Sequence, residues 1–306
     1  MKSGSVYKRF ILDRAFRFSI LADRGVYRAM SDKRFLEKKY RLIFHEKLNL
    51  DAPETFSEKL QWLKLYDHNP AYTTMVDKYA ARDYIAGKVG EKYLIPLAGG
   101  PWKHFDEIDF HKLPGRFVLK CNHDSGGVVI CADEASFDKE KARVFLEKRL
   151  RKNYYNNGRE WPYKNVQPLI YAEEYVENNR RDGLHDYKVW CFNGVPRLIQ
   201  YVSGRAGART TEAFYDFGWR RQPFTFHNPL CGEEVKRPLH LDQMEEAAGV
   251  LSRDIPFLRV DFYVMEDEKI YIGELTFFPM SGLEHFKPAE YDRKLGEWIG
   301  LPVEGK

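Results

Sequence analysis

The sequence has few cysteines and lacks the short patterns that mark common zinc and hydrolase sites. Its four cysteines are widely spaced along 306 residues and form no CxxC or Cys/His zinc pattern. The nine histidines form no HExxH motif, and no GxSxG motif occurs. Metalloprotease and serine-hydrolase sites therefore lack their minimal residues, and we expect the cysteines to be buried free thiols.

Long apolar runs are also missing. No run approaches the length of a membrane span, and no signal-peptide core follows Lys2. We therefore expect a cytoplasmic protein. With 43% hydrophobic and 15% aromatic residues, a chain of 306 residues can nevertheless bury a large core and form two or three lobes.

Negative charge is scarce at the start of the chain. Residues 1–48 contain 13 Lys/Arg against 5 Asp/Glu, a surplus of +8, so the remainder of a chain of net charge +4 carries −4. Apolar residues such as Phe10, Phe16 and Phe18 alternate with these arginines, a pattern typical of a basic amphipathic helix or helix pair. This segment either rests on the inner face of an anionic membrane, or meets an anionic substrate, or docks on the protein with its basic face in water. No nucleic-acid-binding motif accompanies the charge, so we expect no nucleic acid partner.

Helix and strand signals alternate along the rest of the chain and predict an α+β protein. We predict helices at 56–66, capped by Ser57, and at 72–88, 136–152 and 241–251. We predict strands at 116–121, 128–132, 167–176, 187–193 and 195–202, the last two joined by the turn Asn193-Gly194. A flexible turn is expected between Pro96 and Pro101, and a loop over a cleft at 204–232.

The stretch RVDFYVMEDEKIYIGELTFFP, residues 259–279, predicts a hairpin with an acidic turn at Asp267 and Glu268. If those two residues are central to the turn, Asp261 faces Glu274, Arg259 faces Thr276, and all four side chains share one face. Opposed carboxylates about 5 Å apart repel by roughly 3 kcal/mol at an effective dielectric of about 20. Either a divalent cation lies between them, with Arg259 supplying part of the charge, or both acids point into water.

Three further stretches carry candidate ligand-binding residues. In FVLKCNHDSGG, Lys120 ends a strand and supplies a positive charge suited to phosphate. Ser125, Gly126 and Gly127 follow in a loop whose main-chain N–H groups could bind the same phosphate. The sequence Asp-Ser-Gly-Gly is, however, also common in ordinary turns. In YAEEYV, Glu173 and Glu174 lie at a strand end that suits a nucleobase edge, or are simply exposed acids. Asp186 and Lys188 share a strand face, as a ribose acceptor and a phosphate cation would, or form a surface ion pair.

The order of these stretches, together with FSEKLQWLKLYDHNP, VDKYAARDYI, REWPYKNVQPLIYAEEYV and DYKVWCFNG, resembles the ATP-grasp superfamily, most closely its TupA-like branch. That branch is linked to cell-surface polysaccharide and teichuronopeptide synthesis. The resemblance covers residues 56–302 and implies an ATP-grasp fold, in which two α+β lobes clamp ATP and Mg²⁺. It suggests a helical extension at 1–55, a helical lobe at 56–115 and the ATP-grasp lobes at 116–302.

The resemblance also implies roles for individual residues. Lys78 and Lys120 would contact phosphates beneath the flap Ser125-Gly126-Gly127. Glu173 would accept from the adenine amine, with the main chain of Glu174 and Val176 along the base. The ribose acid would be Asp186. The metal ligands would be Asp261, Glu274 and Thr276, the last replacing the asparagine of many relatives. Arg259 would face the transferred phosphoryl group, and Arg220 would be a further phosphate contact.

These roles imply an ATP-dependent carboxylate–amine ligase. The γ-phosphoryl group would pass to a carboxylate, and an amine would displace phosphate from the resulting acyl phosphate. Small-molecule or glycan-precursor carboxylates and amines would be its partners. Two alternatives stay open. A glycosyltransferase of a polysaccharide locus would prefer an Asp-x-Asp metal site, which the sequence lacks. A nucleotide- or glycan-binding protein without turnover would not need the retained carboxylates, lysines and Arg259.

Overall fold

The structure is a computed structural model that describes residues 3–176, 185–204, 210–265, 267 and 269–302. Within these ranges the helices are α1 (Ser3–Leu12), α2 (Arg14–Asp23), α3 (Asp32–Phe44), α4 (Phe56–Tyr66), α5 (Ala71–Val76), α6 (Ala81–Val89), α7 (Lys139–Leu150), α8 (Tyr155–Gly158), α9 (Leu241–Leu251) and α10 (Glu290–Gly296). The strands are β1 (Leu97–Trp102), β2 (Phe117–Cys121), β3 (Val128–Cys131), β4 (Ile170–Glu174), β5 (His185–Phe192), β6 (Val195–Ser203), β7 (Thr211–Tyr215), β8 (Arg221–Gln222), β9 (Phe257–Val264) and β10 (Ile270–Thr276).

The described strands form two antiparallel sheets. The smaller sheet has the order β1-β4-β2-β3, and the larger has the order β10-β9-β5-β6-β7-β8. Helix α9 packs on one face of the larger sheet, where Cys191 and Ala248 are in contact. The opposite face carries the polar residues of β5, β9 and β10. This architecture confirms the predicted α+β class.

Each sheet has its own hydrophobic core. The core of the smaller sheet includes Phe117, Leu119 and Ile170, with Leu146 of α7 packed against them. The core of the larger sheet extends to the N-terminal helices and includes Phe35 of α3, Phe56 of α4 and Trp190 of β5. Aromatic rings stack there, since the rings of Phe56 and Trp190 lie 5.4 Å apart. Helices α2 and α3 are thus packed on the body of the protein.

The predicted helix at 56–66 is confirmed as α4, but the expected cap was wrong. Thr55, not Ser57, caps it in a capping box with Glu58. Ser57 is instead buried, and its N–H donates to the carboxylate of Asp292 over 2.8 Å. The helix predicted at 241–251 is confirmed as α9, and the four described cysteines are free and buried as expected.

The helix predicted at 72–88 is interrupted. Its two parts, α5 and α6, are separated where Asp77 accepts hydrogen bonds from the N–H groups of Tyr79 and Ala80. The N–H of Lys78 donates to the carbonyl oxygen of Asn122, in the loop between β2 and β3. The break therefore places Lys78 between the two sheets, a position that a continuous helix would not provide.

Two stretches expected to be irregular contain strands. The turn expected between Pro96 and Pro101 is β1, which pairs with β4. A side chain at Gly100, whose φ is +100°, would lie 3.0 Å from the main chain of Tyr171, so glycine is needed for this close pairing. The loop expected at 204–232 includes β7 and β8, although residues 205–209 lie outside the described part of the chain.

The hairpin at Asn193-Gly194 is confirmed, with φ of +49° and +79° at these residues, as a two-residue turn of this type requires. Among the described residues, no helix is long and apolar enough to cross a membrane.

Candidate active site

The hairpin of β9 and β10 places Asp261 opposite Glu274 and Arg259 opposite Thr276, as predicted. The turn differs from the expected one, because Val264 pairs with Ile270 and the N–H of Met265 donates to the carbonyl oxygen of Lys269. Glu268 lies outside the described residues. A β-bulge between Ile272 and Glu274 then shifts the pairing by one residue, which gives the predicted pairing of Asp261 with Glu274. Without it, Glu274 would face the other side of the sheet from Asp261.

Glycine at position 273 makes this bulge possible. A Cβ there would lie 2.5 Å from the ring of Tyr263, so a larger residue would displace the ring or the strand. The bulge therefore has a specific local cause in the sequence.

The predicted cluster is formed by direct contacts. Arg259 donates to both oxygens of Asp261 over 2.6 and 2.8 Å, in a bidentate pair. Its Nη2 also lies 3.3 Å from Oε1 of Glu274 and 3.3 Å from Oγ1 of Thr276. Thr276 in turn donates to Glu274 over 3.3 Å. All four side chains thus meet on one face of the sheet.

Two lysines complete the cluster. Lys188 contacts Asp261 and lies 3.9 Å from Asp186, and all three side chains are buried. These residues therefore do not form the surface ion pair that was the alternative. Lys78 approaches from the other side, with its Nζ 3.5 Å from Oε2 of Glu274. Its position confirms that the break before α6 brings a cation to the hairpin.

The charges of this cluster are nearly balanced. Asp186, Asp261 and Glu274 face Lys78, Lys188 and Arg259. Burial by itself would raise the pKa of Glu274, but Lys78, Arg259 and Lys188 lower it far below its ordinary value. Burial opposes the charge of Arg259, yet Asp261 and Glu274 raise its pKa. Both groups are therefore ionised at neutral pH.

The residues predicted to hold Mg²⁺ offer a suitable but small donor set. Asp261 and Glu274 supply carboxylate oxygens and Thr276 a hydroxyl, all on one face. Among the described residues, no group of three or more His, Cys, Asp or Glu side chains is arranged to hold a metal. Mg²⁺ commonly uses one or two carboxylates together with substrate phosphates, so this set fits a metal that arrives with a triphosphate.

On the smaller sheet, Lys120 and Glu173 face each other instead of solvent. They are in contact, and Arg82 of α6 donates to the other oxygen of Glu173 over 3.1 Å. Arg82 also donates to the carbonyl oxygen of Ile95 over 2.7 Å. Two cations therefore hold the carboxylate that was expected at the adenine amine.

The predicted flap connects β2 to β3 and lies over the cluster. Lys78 donates to the carbonyl oxygen of Asp124 over 2.5 Å, and Arg149 of α7 contacts Asp124 and the carbonyl oxygen of Ser125. Gly126 has φ of +84°, a conformation that favours glycine. A Cβ at Gly127 would lie 2.8 Å from that of Cys121, so both glycines are needed for this loop.

Three predicted residues lie away from the cluster. Glu174 and Val176 are at the end of β4, next to residues 177–184, which lie outside the described part of the chain. Arg220 has a side chain that is 84% exposed and pairs with Asp216 over 2.9 Å. The structure does not bring Arg220 to the cluster, and its role stays a prediction.

Two cavities meet at this cluster. One, of about 440 Å³, lies between the sheets and is lined by Lys120, Lys188, Asp261 and the flap. The other, of about 420 Å³, lies beneath α2 and α3. Lys78, Ser125, Arg259, Glu274 and Met280 line both cavities. The cluster thus forms the junction of two chambers, each of the size that small molecules occupy.

Several further charged residues of this region were not predicted from the sequence. They are Arg82, Arg149, and three buried side chains near the second cavity: Lys39, Lys64 and Glu160. All five lie on predicted helices or in the REWPY stretch, yet nothing in their local spacing distinguishes them from solvent-exposed charges. A buried charge is recognised only once its surroundings are known.

Comparison with known proteins identifies a family for most of the chain. Residues 58–300 match the family model described as TupA-like ATPgrasp. No curated protein matches the chain.

Several solved structures are similar to this chain at low identity. L-amino acid ligase from Bacillus licheniformis is 14% identical, with 86% of this chain and 56% of that chain covered and a TM-score of 0.43. D-alanine–D-alanine ligase from Bacillus anthracis, complexed with ATP, is 19% identical; the match covers 67% of this chain and 55% of that chain, with a TM-score of 0.39. N5-carboxyaminoimidazole synthetase from Staphylococcus aureus is 12% identical; the match covers 66% of this chain and 44% of that chain, with a TM-score of 0.38.

The chain spans about half the length of these three proteins. The TM-scores are low, so the family assignment rests on the family model alone.

Proposed function

This chain belongs to the TupA-like ATP-grasp family, and from that membership we propose that it is an ATP-dependent ligase that joins a carboxylate to an amine. One observation supports this function above the others. The two cavities share Arg259, Glu274, Lys78 and Ser125 as a common wall. A nucleotide in one chamber and an acceptor in the other would bring the γ-phosphoryl group and the carboxylate together at that wall.

The cavity between the sheets is the proposed ATP site. Lys78, Lys120 and Lys188 line it and supply positive charge for the phosphates. Each of these lysines now contacts a carboxylate. A triphosphate would compete for the lysines, and the carboxylates of Asp261 and Glu274, with Thr276, would then be free to hold Mg²⁺. When bound, Mg²⁺ would offset the charge of the phosphates and help to orient them.

The reaction needs positioning and charge more than a protein nucleophile. A carboxylate oxygen attacks the γ-phosphorus, ADP leaves, and an amine then displaces phosphate from the acyl phosphate. Arg259, fixed by its bidentate pair with Asp261, faces the junction and stabilises charge on the transferring phosphoryl group. The flap, held by Lys78 and Arg149, excludes water from the intermediate.

A role in cell-surface polysaccharide or capsule synthesis is the finer part of the proposal, and it follows from the family. The carboxylate would belong to a glycan precursor, and the amine to an amino acid or amino sugar. The enzyme would act on the cytoplasmic side, where ATP is available.

The N-terminal helices support a peripheral contact with an anionic membrane at that side. Tyr7, Ile11 and Leu12 of α1 are exposed. Next to them, Arg9, Arg14, Lys38 and Arg41 line an open groove with His45 and His285. Exposed apolar side chains beside a basic surface are typical of helices that bind anionic lipid headgroups.

The test is an assay of the purified protein with ATP, Mg²⁺, and a panel of uronic acids and amino acids. Release of ADP with amide formation is the expected result. AMP would indicate an adenylate route instead. A protein that neither turns over ATP nor gains thermal stability from Mg²⁺-ATP would contradict the ligase function, because a ligand that binds the native state must stabilise it. The glycosyltransferase alternative would require turnover when a sugar nucleotide replaces ATP in this assay.

A further inference from the structure

The second cavity is built largely by the N-terminal helices. Its wall includes Ser19 of α2, Lys39 and Ile43 of α3, and Asn157 and Glu160 from the segment at and after α8. Beyond the shared junction it contains two buried charged side chains, Glu160 and Lys39. The family resemblance assigns no role to either residue.

Glu160 is a carboxylate held in a tight, mostly dry position. Only 4% of the residue is exposed, and that part lines the cavity. A Cβ at Gly158 would lie 2.8 Å from its Oε1, so glycine at 158 leaves room for the carboxylate. Burial raises the pKa of Glu160, while Lys64, Ser281 and Lys39 oppose this effect. Glu274 also raises the pKa of Glu160, and both carboxylates line this cavity.

The nearby Lys64 does not face the cavity as a free donor. Its Nζ is within 3.0 Å of Gln61 Oε1, 2.9 Å of the carbonyl oxygen of Gly158, and 2.7 and 2.9 Å of the two oxygens of Ser281. An ammonium group has three N–H donors, and these acceptors use all of them. Lys64 therefore fixes the segment around Gly158 and Ser281, on which Glu160 depends.

Lys39 has donor capacity left for a ligand. In the described part of the chain its Nζ donates to the carbonyl oxygen of Asn157 over 2.6 Å and to its Oδ1 over 2.9 Å. One N–H remains, and the residue, 6% exposed, lines the cavity. Burial lowers the pKa of Lys39 to about 8, so it is mostly protonated at neutral pH.

We propose that the second cavity binds a free α-amino acid, with its ammonium group on Glu160 and its carboxylate on Lys39. This inference rests on the proposed ligase function, for which the amino acid is the amine substrate. A buried anion and a buried cation in one small cavity match a zwitterion, because each ligand charge finds an opposite charge and neither is left unpaired. An amino sugar has no carboxylate for Lys39 and would leave that charge unmatched.

The proposal gives α3 a direct role in substrate binding. Lys39 belongs to the basic N-terminal segment, but it lines the second cavity, whereas Arg9, Arg14, Lys38 and Arg41 line the open groove. The amine of an amino acid on Glu160 would point toward the junction, where the acyl phosphate forms. During the reaction the amine nitrogen forms the C–N bond, the C–O bond to phosphate breaks, and phosphate leaves with the electron pair. Of the two protons that the ammonium group loses, one passes to Glu160 and one to phosphate.

The test measures binding, so it needs no knowledge of the carboxylate substrate. The full chain is titrated calorimetrically, with and without Mg²⁺ and a non-hydrolysable ATP analogue, using the proteinogenic L-amino acids and their D-enantiomers. For each amino acid that binds, we expect the N-acetyl derivative and the decarboxylated amine to bind at least about 30-fold more weakly, since each lacks one partner of a buried charge pair. Glucosamine, as the amino sugar probe, should not compete.

Variants assign the charges. Glu160→Gln and Lys39→Met should each weaken amino acid binding by about 30-fold or more, and Glu91→Gln, at an exposed position, should leave it unchanged. Melting curves establish whether each variant is folded. If a variant does not fold, the comparison of each amino acid with its N-acetyl and decarboxylated derivatives on the wild-type chain still tests the proposal. The proposal is overturned if no amino acid binds, or if the N-acetyl derivative binds as tightly as its parent. Binding of the ATP analogue, measured separately, tests the ligase function, so the two failures are distinguishable.

Discussion

Nη2 of Arg259 lies 3.3 Å from Oε1 of Glu274, across the β9–β10 hairpin and at the wall shared by the two cavities. Lys78, between α5 and α6, reaches the other oxygen of the same carboxylate. Glu274 thus joins the hairpin to the segment that holds the flap.

Replacing Arg259 should reduce catalysis far more than it reduces nucleotide binding. Arg259→Lys keeps the charge but loses the bidentate contact with Asp261, so we expect turnover to fall by about 10²–10³-fold. Rates of ADP release give the measurement. Arg220→Lys is the matched control, because the side chain of Arg220 is exposed and pairs with Asp216, away from the cluster. If both variants lose turnover equally, Arg220 belongs to the site and the assignment here is wrong.

Removing either carboxylate should abolish turnover, but the two changes should lower the free energy of unfolding by different amounts. Asp261→Asn leaves the buried cations Arg259 and Lys188 without their partner and should lower the free energy of unfolding by about 3–5 kcal/mol. The side chain of Glu274 is 29% exposed, so Glu274→Gln should cost less. Urea unfolding and ADP release at varied Mg²⁺ check both parts. Turnover retained in both variants would rule out the metal role.

The stability of the protein should depend on Asp292. Burial raises the pKa of Asp292 to about 6, against the hydrogen bond from Ser57. Between about pH 4 and pH 6 Asp292 keeps a proton in the folded protein that it has released in the unfolded chain, so the contribution of Asp292 to the free energy of unfolding falls as pH rises through this window, by about 1–3 kcal/mol. Asp292→Asn keeps an acceptor for Ser57 and should remove this slope. Urea unfolding at both ends of the window measures it, and an unchanged slope in the variant would refute the assignment.

Membrane contact should depend on α1. The double variant Ile11→Ser and Leu12→Ser should reduce sedimentation with vesicles rich in phosphatidylglycerol, since about 1–3 kcal/mol of apolar burial is lost for each side chain. Leu12 is 69% exposed and Leu239, outside the N-terminal helices, is 70% exposed, so Leu239→Ser is the matched control. Raised salt should weaken binding by screening the basic groove. Equal sedimentation with neutral phosphatidylcholine vesicles would contradict a role for that groove.

Local signals were sufficient for much of the fold. The helices at 56–66 and 241–251 and the turn at Asn193-Gly194 follow from apolar spacing and turn chemistry, which act over a few residues. Alternation along residues 259–277 also identified the two strands that carry the paired carboxylates. Such patterns depend on neighbours in sequence, so one chain is enough to read them.

The cluster itself depended on contacts between distant parts of the chain. The bulge at Gly273, beneath the ring of Tyr263, is set within the hairpin itself. Lys78, in contrast, reaches Glu274 only because Asn122 holds the break between α5 and α6. Glu160, Lys39 and Lys64 look like ordinary surface charges until three separate helices and loops bury them together.

The sequence by itself determined the elements and the chemical groups that they carry, because secondary structure and side-chain type are local properties. Which of those groups are buried, which charges pair, and that two cavities meet at Arg259 and Glu274 were decided only by tertiary packing. Burial and pairing depend on residues that are far apart in the sequence, such as Ser57 and Asp292, which are 235 positions apart. A local sequence pattern does not specify such contacts.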